Sequence, residues 1–170
     1  GVSKTNSVNE LSLLEACVRE DLNKVATRGM VVLDPIRLVV TDWPDGKAIE
    51  CKAPNNPEDP ESGERTIPFA GEVWIEREDF LEDPPGKWFR LAPGKEVRLM
   101  HNYCVTCQEV IKDADGKVVE LRCTHDPATL GANPEGRKVK GVIHWVPVGE
   151  ALDAEVRVYD NLYSVEDPAK

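Results

Sequence analysis

Five cysteines and three histidines are the residues in this chain best suited to metal or thiol chemistry. Cys104 and Cys107 stand at C-x-x-C spacing in YCVTC, and Cys123 precedes His125 in CTH. Such a set could be zinc ligands, a redox pair or packed core residues. Parity argues against a shared ion. The neighbours Val97, Leu99, Val105 and Val110 read as strand, and side chains three apart on a strand point to opposite faces. Val105-Thr106 offers no tight turn to reunite the thiols, and Cys123 with His125 supplies only two ligands. Packed strand cysteines are therefore expected, with no metal site and no cofactor in this chain. His101 and His144 are scattered, and no G-x-S-x-G, P-loop, G-x-G-x-x-G or H-E-x-x-H occurs. Nothing assembles a nucleophile, a base and an oxyanion donor, so no catalytic residue is assigned.

The second candidate chemistry is ionic. Lys87 with Arg90, Lys95 with Arg98, and Arg137 with Lys138 and Lys140 form three basic clusters, and Trp88, Phe89 and Trp145 lie among them. Cations beside exposed aromatic rings suit phosphate contacts and base stacking. The same residues also suit ordinary exposed strand and hairpin positions, where Lys and Arg guard edges, and composition alone favours that plainer reading. A net charge of −10 argues against bulk electrostatic binding of nucleic acid, so any such contact must come from a local basic surface. The acidic residues Glu76, Glu78, Asp79, Glu82 and Asp83 read as a solvated face.

These residues must be positioned by a mostly β chain. LSLLEACVREDLNKVA reads as a helix, with Leu11, Leu14, Val18, Leu22 and Val25 in one stripe and Ser7 with Glu10 as a capping box. After Arg28 short β-rich runs alternate with Pro, Gly, Asn and Asp clusters. Candidate strands are 30–33, 36–40, 48–53, 72–76, the long run 95–112, 117–124, 138–148 and 155–160. WPDG (43–46) and DADG (113–116) are expected as hairpin turns, and 54–68 as one long Pro- and acid-rich loop. Hairpin-length connections without βαβ spacing favour antiparallel barrels or sandwiches. No apolar run approaches a membrane span, no signal peptide is evident, and an odd cysteine count fits a reducing, cytoplasmic compartment.

Several stretches are more distinctive than their physics. GRKVKGVIHWV (136–146), FRLAPGKEVRLMHNY (89–103), VWIEREDF (73–80), VLDPIRLVV (32–40), EVRVYDNLYSVEDP (155–168) and the opening SLLEACVREDLNKVATR resemble the C-terminal, anticodon-binding half of glutaminyl-tRNA synthetases, in order over the whole chain. Glutamyl-tRNA synthetases of archaea and eukaryotes are the nearest confusable relatives, and a ribosomal protein that binds 5S RNA has a related single barrel. The resemblance implies an all-β chain with one leading helix and two antiparallel barrels. Residues 1–26 would form the connecting helix. Residues 27–75 and 147–170 would form a proximal barrel, left incomplete because the family continues past SVEDP, and 76–146 an inserted distal barrel.

By the same resemblance, the partner is the anticodon loop of glutamine tRNA, bound by a monomer. The parent enzyme's own N-terminal catalytic domain, absent here, would join glutamine to that tRNA using ATP and Mg, and this chain would not be active alone. Arg28 matches a family arginine at the middle anticodon base, Arg90 one at the third base and Arg98 one at the first. Lys4 matches a lysine near the inner elbow of the tRNA. Lys87, Phe89 and Met100 replace a glutamine, a lysine and an arginine, and Glu58 stands where an asparagine is expected. Met100 thereby removes a charged donor at the first anticodon position, while Phe89 retains only stacking.

Overall fold

The computed structural model describes residues 10–160 and 163–165. Helix α1 (Leu11–Val25) carries the expected stripe, yet none of its residues is buried, and Leu14, Val18 and Leu22 are all about half exposed. Glu10 occupies the N-cap position without a side-chain cap bond, and its carboxylate accepts from Ser12 Oγ at 3.2 Å instead. Ser7, the other half of the expected capping box, lies outside the described residues.

Among the described residues nine strands follow: β1 (Pro35–Val40), β2 (Ile49–Pro54), β3 (Glu64–Phe69), β4 (Glu72–Glu76), β5 (Glu96–Leu99), β6 (Cys104–Lys112), β7 (Val118–Asp126), β8 (Val142–Ile143) and β9 (Trp145–Pro147). Seven of them form a sheet in the order β8-β5-β6-β7-β1-β4-β9, while β2 and β3 pair separately. The two edge strands of the large sheet, β8 and β9, are separated in sequence only by His144, so the sheet curls until its edges meet and is nearly closed into a barrel. Trp145 is wholly buried at this seam and its Nε1–H donates to the Met100 carbonyl at 2.9 Å.

The core follows from strand alternation. Ile36, Leu38 and Val40 of β1 face inward opposite Ile75 and Val73 of β4, and Val97, Leu99, Val105, Cys107, Leu121 and Cys123 complete the interior. Phe69 ties the two-stranded sheet to this core, with its ring 5.6 Å from Trp145 and 4.8 Å from Trp43.

The pairings are antiparallel except that β1 runs parallel to β7 and β5 parallel to β8. Strands β1 and β4 share one sheet and one core with β5–β8.

Several expected local elements are redrawn. Residues 30–33 form no strand, because the Glu76 carboxylate accepts from the backbone N–H groups of Leu33 and Asp34 and takes the place of a strand partner. The long loop 54–68 shortens to residues 55–63, since Ile67 and Phe69 alternate inward and β3 pairs with β2. WPDG is a turn but no hairpin, as β1 and β2 lie in different sheets. The run 95–112 is broken by a turn in which His101 adopts φ 60° and Asn102 N–H donates to the Leu99 carbonyl. Residues 155–160 form no strand; Val158 and Tyr159 stay exposed, and no strand among the described residues pairs with them. DADG does close the β6–β7 hairpin, with Gly116 at φ 81° and Asp113 Oδ1 accepting from the N–H groups of Asp115 and Lys117.

Candidate nucleic-acid interface

A cleft of about 210 Å³ opens beside the start of β5, lined by Trp88, Phe89, Arg90, Lys95, Lys138 and Lys140. Two segments far apart in sequence meet there. The first, 86–91, is pinned from below: Leu91 N–H donates to the Asp79 carbonyl at 2.9 Å, and Trp88 Nε1–H donates to the Leu91 carbonyl at 3.0 Å. The second, 138–141, crosses so closely that a Cβ on Gly141 would lie 2.1 Å from the Phe89 carbonyl oxygen. Glycine is required there by contact rather than by dihedral angle.

The electrostatics of the cleft are one-sided. Lys95, Lys138 and Lys140 are exposed, and Lys140 Nζ sits 5.2 Å from the centre of the exposed Phe89 ring. The one carboxylate in the lining, Glu96, accepts from Arg137 Nε at 2.8 Å and from Arg137 Nη2 at 2.7 Å. That pairing removes the local counter-charge and leaves the lysines and Arg90 to face a ligand. Such a surface suits a polyanion with planar groups.

The arginines expected at the anticodon are not equivalent. Arg90 uses only Nη1, in an ion pair with Asp79 Oδ1 at 3.1 Å and a hydrogen bond to the Glu78 carbonyl at 3.2 Å, and its side chain is half exposed. Arg98 is spent on backbone: Nη1 donates to the carbonyls of Asn102 and Thr129, and Nη2 to that of Ala132. Arg28 lies against the end of α1, donating to Asn23 Oδ1 at 2.7 Å and to the Asn23 carbonyl, with Glu58 3.5 Å away. Glu58, one of the departures seen in the sequence, is thus an ion-pair partner of Arg28. Lys87 is exposed next to Trp88. Met100 packs on the core and uses its backbone at the barrel seam, where its N–H donates to the Ile143 carbonyl. Lys4 lies outside the described residues. The cleft thus gathers Arg90 with Lys87 beside it, whereas Arg28, Arg98 and Met100 do not line it.

The cysteines behave as parity requires. Cys107 faces Cys123 across β6–β7 inside the core, while the Cys104 thiol lies toward Thr129 and Arg98, outside that core. A hydrogen bond to Cys107, together with burial, pushes the Cys123 thiol up, and burial raises Cys104 as well. His125 turns away to Asp42, with Nδ1 2.9 Å from Oδ1. No group of three metal-capable side chains gathers among the described residues.

The family model described as the anticodon-binding domain of class I (E and Q) tRNA synthetases matches residues 26–126, and a second model of the same description matches 142–170. The chain belongs to this anticodon-binding family. Among curated relatives, it is 52% identical over 169 residues to a protein named glutamine–tRNA ligase from Nitrobacter hamburgensis, covering 99% of this chain and 30% of the relative. Proteins of the same name from Rhodopirellula baltica and Pseudomonas putida are 54% and 47% identical, covering 99% and 100% of this chain and 28% and 30% of theirs. The chain therefore spans about 30% of the length of the relatives it matches.

As an anticodon-binding domain, this chain carries much of its cleft where neither family model reaches. Lys138 and Lys140 fall between the two matched segments, and only their clustering with Arg137 in the sequence pointed to them. Sequence reasoning missed Asp79. It lies within an acidic run that reads as solvated, yet it is only 5% exposed.

Proposed function

We propose that this chain binds the anticodon loop of glutamine tRNA, and that the cleft between segments 86–91 and 138–141 takes the loop's phosphates and bases. The observation that carries this reading is the meeting of Arg90, Lys95, Lys138 and Lys140 around the exposed Phe89 ring, on an otherwise acidic chain. Lysines supply phosphate contacts, Phe89 supplies a stacking face, and Arg90 supplies a planar fork for a splayed base. The relatives' shared name favours glutamine over glutamate as the amino acid served.

In this reading Arg90 serves the third anticodon base and Arg28 the middle base, with Lys87 beside the cleft and Lys4 nearer the tRNA elbow. Arg98 holds the turns at 100–102 and 129–132 in place, next to the first-base position that Met100 lines without a charge. The protein acts as a monomer in the cytoplasm. Its N-terminal catalytic domain, using ATP and Mg, joins glutamine to the bound tRNA.

The test is binding of anticodon stem-loop RNAs bearing CUG or UUG against loops with altered middle bases. Tighter binding of the cognate loops, with affinity falling steeply as salt rises, is expected. Equal affinity for every loop would defeat base reading by this chain.

A further inference from the structure

Arg90 is held in an unusual way. Asp79, in the turn after β4, meets two neighbouring residues: its carbonyl accepts from Leu91 N–H, and its carboxylate Oδ1 forms an ion pair with Arg90 Nη1 at 3.1 Å. The Asp79 side chain is only 7% exposed, a costly place for a carboxylate without a cation. Its Oδ2 has no hydrogen-bond partner, with His144 Nδ1 the nearest ion-pair candidate at 3.8 Å. Burial pushes the Asp79 carboxyl up, while Arg90 and His144 oppose that shift. Arg90 is thus anchored at one nitrogen from beneath, and its Nε and Nη2 make no hydrogen bond among the described residues.

We propose that Asp79 is the positioning residue for third-base recognition, aiming the unoccupied edge of the Arg90 guanidinium into the cleft. The proposal rests on the reading of the cleft as the anticodon site. A flexible arginine on an exposed loop would lose side-chain entropy when it engages a base. Tethered by a buried carboxylate, it meets the base already oriented, and a planar fork discriminates only when held at a defined angle. Asp79 itself touches no RNA in this arrangement. The carboxylate would also be left buried without its main cation if Arg90 were removed, which makes the pair a mutual dependence rather than a one-way support.

The experiment is a double-mutant cycle in the protein, read by affinity for two anticodon stem-loops, CUG and CUA, which differ only in the third base. Arg90→Ala is expected to lose the preference for CUG by about tenfold, the size of one good base contact. Asp79→Ala is expected to lose nearly as much, and the double variant no more than Arg90→Ala alone. Asp79→Asn, which keeps an acceptor of the same shape, is expected to retain part of the preference, and melting temperatures report folding separately. If Asp79→Ala and Asp79→Asn keep the full preference while Arg90→Ala abolishes it, the positioning role falls and the anticodon reading stands. Additive losses in the double variant would overturn it equally. If Arg90→Ala leaves the preference intact, both the role of Arg90 at the anticodon and the positioning by Asp79 are refuted.

Discussion

Arg90 and Arg98 lie on one short stretch of chain, and their guanidinium groups are put to opposite uses. Arg98 spends both outer nitrogens on three backbone carbonyls and fastens the turn after β5 to the loop at 129–132. Arg90 spends one nitrogen on a buried carboxylate and a carbonyl, and keeps its other edge toward the cleft. Residue type is the same and local sequence gives no hint of the difference. What separates them is the supply of acceptors. The turn after β5 and the 129–132 loop present three carbonyls to Arg98, whereas bridging between Phe80 and Leu91 leaves Arg90 only the Glu78 carbonyl.

That contrast can be broken by mutation. The largest effect should come from Arg98→Ala, which takes a donor from three carbonyls and is expected to cost about 3 kcal/mol in urea unfolding. Should Arg98→Ala instead leave stability intact and abolish RNA binding, the contrast would be inverted. Next comes Gly141→Ala, whose Cβ collides with the Phe89 carbonyl. A cost of about 2 kcal/mol is expected, with loosened packing between the two cleft segments visible as faster amide exchange at 88–91. Arg90→Ala should follow, costing about 1 kcal/mol because it leaves the buried Asp79 carboxylate without its main cation, while its third-base preference collapses. The smallest effect is expected from Lys140→Ala. It should weaken every anticodon loop alike, by a few-fold, and lower the slope of log affinity against log salt by about one.

Much of the fold was legible because local rules govern it. The alternation of Ile36, Leu38 and Val40 named β1 and its inward face, and DADG named the β6–β7 turn. Opposite-face placement of Cys104 and Cys107 followed from parity alone. The parallel pairing of β1 with β7 joins residues too far apart for any local pattern to reveal. The break after β5 was hidden because it uses His101, not glycine, at positive φ. The apolar alternation of 155–160 looks like a strand, but alternation states only a capacity to pair, and no partner strand is present for it among the described residues.

The cleft was half legible for a related reason. Clustered charge marks Lys87, Arg90, Lys138 and Lys140, since repeated cations stand out in an acidic chain. Which arginine is free to bind depends on neighbours in space. Asp79, unremarkable among its acidic neighbours in the sequence, is the clearest case.

The seam at His144 has a consequence for how the protein is made. Strands β8 and β9 sit at opposite edges of one sheet, pairing with β5 and β4 respectively. Neither edge can be sealed until residues 142–147 have left the ribosome. The cleft's second wall, 138–141, is synthesised at the same moment. Earlier strands can collapse as they emerge, but the cleft lacks its second wall until residues 138–141 follow. One event of late synthesis thus completes both the fold and the site.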